Sequence, residues 1–271
     1  MKYGVSVPNF GQYSDPSKVT DLAILAEDAG WDGFFVWDHI VISDGTPVAD
    51  PWVVLGSIAR STETIELGPM VTPVPRRRPW VLARQATTVD HLSGGRLVLG
   101  VGIGFPPDVE FGTFAEPQDA RERADMLDEG LEILEGMWSG ETFSYEGRHY
   151  RVESTSFGPR PVRQPRIPIW VAAGWGSPRP IRRACRYEGA FPVKWDMTDW
   201  KASEVEELRE MIVNERGDAE GFEIVIGGSF QAASEHFSAY EAAGATWYLT
   251  GPSQTDSMED LSRAITAGTP S

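Results

Sequence analysis

Short apolar runs rich in valine, isoleucine, phenylalanine and glycine alternate along this chain with longer segments whose apolar residues recur every three or four positions. The short runs indicate buried strands and the longer segments indicate amphipathic helices, because side chains repeat about every 2 residues in a strand and about every 3.6 in a helix. Eight strands are predicted, at Tyr3–Pro8, Gly33–Trp37, Ile65–Val71, Arg96–Val101, Ile167–Ala172, Gly189–Val193, Phe222–Gly227 and Ala245–Leu249. Eight helices are predicted, at Pro16–Ala29, Pro51–Ser61, Pro79–Leu92, Asp119–Trp138, Pro178–Arg186, Trp200–Arg216, Ala232–Ala243 and Ser257–Ala267. This alternation is typical of repeated βα units around a parallel sheet.

Eight βα units can close into a barrel or spread as an open, doubly wound sheet. The best marker of the open dinucleotide-binding sheet is Gly-x-Gly-x-x-Gly after the first strand, where this chain has Pro8-Asn9-Phe10-Gly11. We therefore predict an α/β fold, a (β/α)8 TIM barrel formed by a single domain, 1–271. The irregular stretch 140–166, which contains the hairpin-like Tyr145-Glu146-Gly147-Arg148, predicts an insertion between the fourth helix and the fifth strand.

The charge of the chain narrows the classes of partner. Twenty-four Lys and Arg residues against 40 Asp and Glu residues give a net charge of −16, which repels nucleic acid and anionic membranes, and no run approaches the roughly 18 apolar residues of a membrane span. The N-terminus has no signal-peptide pattern, so a cytoplasmic protein is expected. The single cysteine, Cys185, excludes an internal disulfide or a thiolate metal cluster, and we expect it to be an inert buried thiol.

In a barrel of this kind the chemistry lies at the C-terminal ends of the strands. Aromatic residues and glycines occur there together, as in Trp37-Asp38-His39 and Gly102-Ile103-Gly104-Phe105. Aromatic walls with glycines that permit close approach suit a flat conjugated ring better than a small charged metabolite. The residues predicted to line a substrate pocket are Phe10, Trp37, Phe105 and Trp195.

Several motifs, spread over nearly the whole chain, resemble those of the bacterial luciferase-like monooxygenase superfamily, and in particular its branch that uses the deazaflavin coenzyme F420. The motifs are Leu67-Gly68-Pro69-Met70-Val71, Leu92-Ser93-Gly94-Gly95-Arg96-Leu97, Gly158-Pro159-Arg160-Pro161-Val162, Pro168-Ile169-Trp170-Val171 and Ala242-Ala243-Gly244-Ala245-Thr246-Trp247. The resemblance implies a (β/α)8 barrel with an insertion, a homodimer, and a flavin or deazaflavin at the strand ends.

The Asp38-His39 pair is the strongest candidate for catalysis. An imidazole at a strand end can hydrogen-bond a cofactor or carry a proton near neutral pH, whereas the alternative is a solvated loop histidine beside a capping aspartate. The resemblance implies that His39 lies beside the reactive face of the ring, and that an Asp at position 38 is more typical of deazaflavin users. We therefore expect both residues to be catalytic. The other histidines, His91, His149 and His236, are expected at the surface.

A second candidate is a phosphate site in the loop Ala173-Gly174-Trp175-Gly176-Ser177, which precedes a helix carrying Arg179, Arg182 and Arg183. Backbone N–H groups at a helix N-terminus bind phosphate, and arginines add charge-assisted bonds. The alternative is a tight turn with a solvated basic helix face. The resemblance implies that the cofactor phosphate binds in this loop. The run Arg76-Arg77-Arg78 could equally guide an anionic tail or face water.

The resemblance also implies a cis peptide at Met70-Val71 that bulges toward the ring, with an ordinary trans strand end as the alternative. The further cofactor contacts expected nearby are Thr72, Gly102 and Gly104. The sugar-phosphate dehydrogenases of this superfamily carry a Trp after Asp-His and a Glu after Gly-x-Gly, where this chain has Ile42, Ser43 and Phe105. A sugar phosphate is therefore disfavoured as substrate.

Together these features predict an F420-dependent oxidoreductase that transfers a hydride between the coenzyme and a small organic substrate. His39 would be the proton partner, and an apolar wall would be formed by Phe10, Trp37, Phe105 and Trp175. The alternative enzyme is an FMN-dependent luciferase-like monooxygenase, and the alternative of another class is a flavin-binding barrel without turnover. No metal is expected, because histidines and carboxylates do not cluster at the strand ends.

Overall fold

The computed structural model describes residues 1–43, 45–196, 198–230, 236–253 and 256–269. Its strands are β1 (Lys2–Val7), β2 (Gly33–Val36), β3 (Glu66–Pro69), β4 (Thr72–Pro73), β5 (Leu99–Gly102), β6 (Thr142–Glu146), β7 (Arg151–Ser156), β8 (Ile169–Gly174), β9 (Gly189–Val193), β10 (Glu223–Ser229) and β11 (Trp247–Gly251). Its α-helices are α1 (Pro16–Asp28), α2 (Pro51–Ser61), α3 (Pro79–Ser93), α4 (Pro107–Glu110), α5 (Ala120–Trp138), α6 (Pro178–Ala184), α7 (Ala202–Arg216), α8 (Phe237–Ala243) and α9 (Met258–Thr266). The predicted helix Ala232–Ala243 corresponds to α8, and positions 231–235 lie outside the described residues.

The parallel strands form a ring in the order β3-β2-β1-β11-β10-β9-β8-β5-β4. β3 and β4 are two parts of one barrel strand, because the chain leaves the sheet at Met70 and Val71, whose peptide bond is cis. The prediction of one continuous strand at Ile65–Val71 is therefore wrong. Leu67 pairs with Leu97 and β4 pairs with β5, which closes the ring and confirms the predicted (β/α)8 barrel.

Large side chains fill the inside of the barrel. Phe35, Trp170 and Trp247 meet there with ring centroids 5.2 to 6.0 Å apart. Met70 and Leu249 pack around these rings, so the interior is a solid core rather than a channel. A binding site inside the barrel is therefore excluded, and barrels of this kind carry their chemistry at the C-terminal ends of the strands.

The outer helices pack on the sheet through the predicted apolar stripes. On α5, Leu127, Leu131, Leu134 and Trp138 are buried at steps of three or four residues, and each such side chain contributes about 2 kcal/mol of hydrophobic free energy. Asp119 caps this helix by accepting from the backbone N–H groups of its first turn. The Asp119 cap thus sets where α5 begins, and the apolar stripe sets which face of α5 is buried.

The stretch between α5 and β8 contains an antiparallel ribbon of β6 and β7. Its turn is held against α5, because the Glu129 carboxylate accepts from the backbone N–H groups of Arg148, His149 and Tyr150 at 2.9 to 3.2 Å. Cys185 is buried after α6, as predicted. None of the described helices is long and apolar enough to cross a membrane.

Candidate active site

A cavity of about 300 Å³ lies at the C-terminal end of β2, where the parallel strands present their carboxyl ends. The residues around it are Asp38, His39, Ile40, Val48, Ala49, Asp50, Pro51, Arg76 and Arg77. The two residues predicted to be catalytic are therefore neighbours on the wall of one cavity, together with two members of the arginine run.

The carboxylate of Asp38 is buried and fully bonded. Thr72 Oγ1 donates to it at 2.7 Å, and Arg77 Nη2 lies 2.8 and 2.9 Å from its two oxygens. Arg76 donates to the same carboxylate and, at 2.9 Å, to the Asp38 backbone carbonyl. The run therefore neither guides a distant ligand nor faces water at these two positions, because both guanidinium groups are held by Asp38.

The imidazole of His39 is bonded through one of its two nitrogens. Nδ1 lies 2.9 Å from Oε1 of Glu110, which ends α4 and is only 1% exposed. The other oxygen of Glu110 accepts from Arg76 and, at 3.3 Å, from the backbone N–H of Ile40. Nε2 has no hydrogen-bond partner in the part of the chain that the structure describes. The His39 side chain is 21% exposed.

Asn9, at the end of β1, fixes the backbone of His39. Its Nδ2 donates to the carbonyls of His39 and Ala49 at 2.8 and 2.7 Å, and its Oδ1 accepts from the His39 N–H at 3.1 Å. The imidazole itself lies against Phe10 and Trp37, with ring centroids 5.5 and 6.0 Å away. Backbone and ring are thus both restrained, which is the condition for a positioned proton carrier.

The charges around His39 balance without its proton, because Asp38 and Glu110 face Arg76 and Arg77. Burial and then the charge of Arg76 lower the pKa of His39 to about 4, against the opposing charge of Asp38. The imidazole is therefore neutral near pH 7 and has one nitrogen able to accept a proton.

The ends of β4, β5 and β8 form an apolar floor. A Cβ placed on Gly102 would lie 3.0 Å from Val71 Cγ2 and 3.4 Å from Ala172 Cβ, so only glycine keeps the surface flat between them. Gly102 is buried, whereas Val71 and Ala172 beside it are partly exposed. Of the other predicted cofactor contacts, Met70 lies in the barrel interior and the hydroxyl of Thr72 is taken by the buried carboxylate beside it.

Gly104 faces protein instead of open space. A Cβ there would lie 2.7 Å from Phe111 and 2.9 Å from Pro73, and its carbonyl accepts from Arg123 at 2.7 Å. Its φ of +83° is the left-handed conformation that glycine adopts without strain. Gly104 therefore forms the turn between β5 and α4.

The predicted phosphate loop consists of Ala173, Gly174, Trp175, Gly176 and Ser177. Trp175 packs edge-on against Trp200 at 5.2 Å, which anchors the loop. Gly176, with φ +81°, and Ser177 are exposed at its tip, just before α6 begins at Pro178. The Ser177 N–H donates to the Gly174 carbonyl at 3.2 Å, so the Gly176 N–H and the Ser177 hydroxyl are the groups exposed to a ligand at this tip.

Only one of the three arginines after this loop is available to it. Arg182 pairs with Glu215 at 3.4 Å and Arg183 with Asp128 at 2.6 Å, so both bind neighbouring helices. Arg179 is exposed and forms no ion pair with any described residue. Arg182 and Arg183 therefore leave Arg179 as the arginine that could serve the predicted phosphate site.

The four residues predicted to line one pocket form two separate pairs. Phe10 and Trp37 lie 6.1 Å apart beside His39. Phe105 and Trp195 lie 4.8 Å apart, are 57% and 61% exposed, and form no ring contact with the first pair among the described residues. The Trp195 indole also lies beside the predicted phosphate loop, because a Cβ on Gly174 would be 3.0 Å from its Nε1.

Sequence patterns missed Glu110 and did not assign Arg76 or Arg77. Glu110 belongs to a four-residue helix that has no apolar periodicity to reveal it. The arginines form a visible run, but the carboxylate that holds them is 38 or 39 positions away. No group of three or more His, Cys, Asp and Glu side chains among the described residues is arranged to hold a metal ion.

Known proteins with related sequences were then compared. The family model described as luciferase-like monooxygenase matches residues 1–268. An F420-dependent glucose-6-phosphate dehydrogenase of Nakamurella multipartita is 34% identical over 195 residues, which are 70% of this chain and 54% of that protein. One from Microbacterium testaceum is 36% identical over 177 residues, 63% of this chain and 50% of the relative. The chain thus spans about half the length of the curated relatives it matches.

Solved structures with low sequence identity share the fold. An F420-dependent secondary alcohol dehydrogenase in complex with an F420-acetone adduct superposes with a TM-score of 0.81 at 16% identity, over 98% of this chain and 96% of that one. A monooxygenase from Streptomyces bottropensis gives 0.80 at 19% identity, with the same coverage. With the family match over almost the whole sequence, the conclusion is that this chain belongs to the luciferase-like monooxygenase family.

Proposed function

We propose that this protein is an F420-dependent oxidoreductase that transfers a hydride between F420 and a small uncharged organic substrate. The observation that carries the proposal is a neutral, restrained imidazole on a cavity at the C-terminal end of the barrel, with the Nε2 of His39 unbonded by the described residues. The F420-dependent enzymes among the sequence relatives support the choice of coenzyme.

The strand-end surface fits such a coenzyme. Val71 and Ala172, the partly exposed apolar residues beside the buried Gly102, would support the flat ring from below. The exposed loop tip at Gly176 and Ser177 would hold the phosphate of the tail, together with Arg179, which forms no ion pair with the described residues. Bound F420 would supply the hydride acceptor or donor.

The protein's own residues would manage the proton and the water. His39 would take or give the proton that accompanies hydride transfer, through Nε2. Phe10 and Trp37 would exclude water on one side of the imidazole. Asp38 would act indirectly by holding Arg76 and Arg77, because its carboxylate has no free position for a substrate.

The charges of the cavity favour an uncharged substrate. Arg76 and Arg77 are both neutralised by buried carboxylates, and the remaining acid, Asp50, caps α2 through the N–H of Val53 at 3.0 Å. No cation on the cavity wall is therefore left to neutralise a phosphate group. A small alcohol or carbonyl compound fits this environment, whereas a sugar phosphate does not.

A titration of the purified protein with F420 and FMN side by side, followed by a turnover assay, tests the proposal. We expect F420 to bind more tightly than FMN, and its absorbance to change with uncharged alcohols or ketones but not with sugar phosphates. Preference for FMN together with an oxygen-dependent product would identify a monooxygenase instead. Tight binding without redox chemistry on any substrate would identify a non-catalytic barrel.

The proposal includes a homodimer acting in the cytoplasm. Exposed apolar side chains on two adjacent helices, Val53 of α2 and Val81 of α3, are 71% and 49% exposed and would suit a subunit contact. Light scattering of the purified protein measures the mass directly. A monomer at micromolar concentration would contradict this part alone.

A further inference from the structure

The hydrogen bond between His39 and Glu110 decides which imidazole nitrogen carries the proton. A neutral imidazole has one N–H and one lone pair, and an ionised carboxylate can only accept. Arg76 and the backbone N–H of Ile40 both donate to Oε2 of Glu110, and these contacts favour its ionised form. Nδ1 of His39, 2.9 Å from Oε1, must therefore be the donor.

We propose that Glu110 is a positioning residue that fixes the His39 proton on Nδ1 and leaves the Nε2 lone pair to the cavity as the base of the site. Glu110 is almost fully buried and both of its carboxylate oxygens are hydrogen-bonded, so it acts through His39 rather than on the substrate. Buried carboxylates orient catalytic imidazoles in this way. The effect on turnover rests on the proposed function, whereas the position of the proton is a property of the protein alone.

The charged groups around this bond make the arrangement self-consistent. Arg76 bridges Asp38 and Glu110, and Arg77 holds the other side of Asp38. Glu116 also acts on Arg76 by its charge, and burial raises the pKa of the Glu116 carboxyl. Arg76 is fixed between the two carboxylates and occupies Oε2 of Glu110, which leaves Oε1 for His39. Glu110 therefore cannot turn its other oxygen to His39 without breaking the Arg76 contact.

An isosteric substitution should reverse the tautomer. In Glu110→Gln, the amide oxygen would remain where Arg76 and Ile40 donate, and the amide NH2 would face His39. An NH2 group can only donate, so Nδ1 would have to accept and the proton would move to Nε2. The base would then be lost although the shape of the site is kept.

Long-range ¹H–¹⁵N NMR of the uniformly ¹⁵N-labelled protein without cofactor measures the tautomer at pH 7. The chain has four histidines, and the signals missing in His39→Asn identify His39. We expect Nδ1 protonated in the wild type and Nε2 protonated in Glu110→Gln. The matched control is Glu116→Gln, which changes an acid near the same arginine without touching His39 and should keep the wild-type tautomer.

Turnover provides the second readout. If the proposed function holds, Glu110→Gln should turn over about 10²- to 10⁴-fold more slowly, with cofactor affinity changed less than about threefold. A wild-type His39 that carries its proton on Nε2, or both protons at pH 7, would overturn the inference even if Glu110→Gln did not fold. A folded Glu110→Gln protein with an unchanged tautomer would also overturn it. A wild type without turnover on any substrate, together with a reversed tautomer in Glu110→Gln, would refute the proposed function and leave this inference standing.

Discussion

At the N-terminal end of the barrel, the guanidinium of Arg96 donates to five oxygens, four of them backbone carbonyls, at 2.7 to 3.0 Å. Beside it, the carboxylate of Glu27 accepts from the three consecutive backbone N–H groups of 63–65. At the C-terminal end, Arg76 and Arg77 instead bind the side chains of Asp38 and Glu110 around a cavity. Arginines and carboxylates are thus used at both ends, but with different partners.

The difference separates a structural role from a chemical one. A charged group bonded to backbone atoms ties elements together, and it has no capacity left for a ligand. A side-chain cluster can leave one polar atom unbonded, as Nε2 of His39 is among the described residues, and such an atom can react. Substitutions at the N-terminal end should therefore change stability, and substitutions at the C-terminal end should change turnover.

The largest expected effect concerns His39. Asn in place of His39 should lower turnover about 10²- to 10⁴-fold while the free energy of unfolding changes by about 1 kcal/mol, because one proton carrier contributes mainly in the transition state. Steady-state kinetics and urea unfolding measure the two quantities. The exposed His236, changed to Asn, is the control and should affect neither.

The pH dependence of the wild type sharpens this prediction. Because burial and Arg76 lower the pKa of His39 to about 4, the imidazole is neutral above that pH and protonated below it. The rate in the direction that removes a proton from the substrate should be flat between about pH 8 and 5 and fall as the pH drops through about 4. A midpoint near 6.5 would mean that the imidazole titrates as an exposed histidine.

The eight βα units could be predicted from the sequence because each has its own periodic signal, and the missing Gly-x-Gly-x-x-Gly after the first strand then favoured the barrel over an open sheet. The apolar stripe of α5 and the short runs of β1 and β9 predicted their elements to within about two residues, a margin that assignment methods themselves share. The break at Met70 could not be predicted from periodicity, because the apolar run continues through Val71.

The site was predicted only in part, for a physical reason. His39 is recognisable because it follows a strand, but its bond to Glu110 joins residues 71 positions apart, and no local pattern encodes such a pair. The aromatic residues were recognised by type, yet Phe10 follows β1 and Phe105 follows β5, and two barrel strands lie between β1 and β5 in the ring. Residue type indicates the chemistry, and only the fold decides which residues meet.

The next largest effect is expected at Arg96. Ala in its place would leave several carbonyls between α2 and β3 without a donor, and should lower the free energy of unfolding by about 3 kcal/mol. Urea unfolding measures this loss. Turnover per folded molecule should stay within about twofold, and the exposed Arg60 of α2, changed to Ala, should alter stability by less than about 0.5 kcal/mol. A large loss of turnover with stability intact would reverse the roles of the two ends.

A smaller effect is expected at Glu27. Although burial alone would raise the pKa of Glu27, the backbone N–H groups of Ile65, Thr64 and Glu63 outweigh it and lower the pKa. Its contribution to stability is therefore complete above the unfolded value of about 4.3 and is lost as the pH falls through the folded pKa. Glu27→Gln should cost about 1 kcal/mol at pH 7 and flatten the loss of stability between pH 5 and 3. The exposed Glu63, changed to Gln, should keep the wild-type pH profile.

The smallest effect is expected at Arg179. This residue lies at the C-terminal end of the barrel, where we expect substitutions to change binding rather than stability. Ala in its place should weaken F420 binding by about 1 kcal/mol, roughly fivefold, because an exposed arginine forms a charge-assisted bond that solvent screens. Fluorescence titration at two salt concentrations measures it, and the difference from wild type should shrink at high salt. Arg182→Ala is the matched control, since that arginine lies on the same helix but pairs with Glu215. Equal losses in both variants would mean that the charge of the helix, and not a contact from Arg179, attracts the coenzyme.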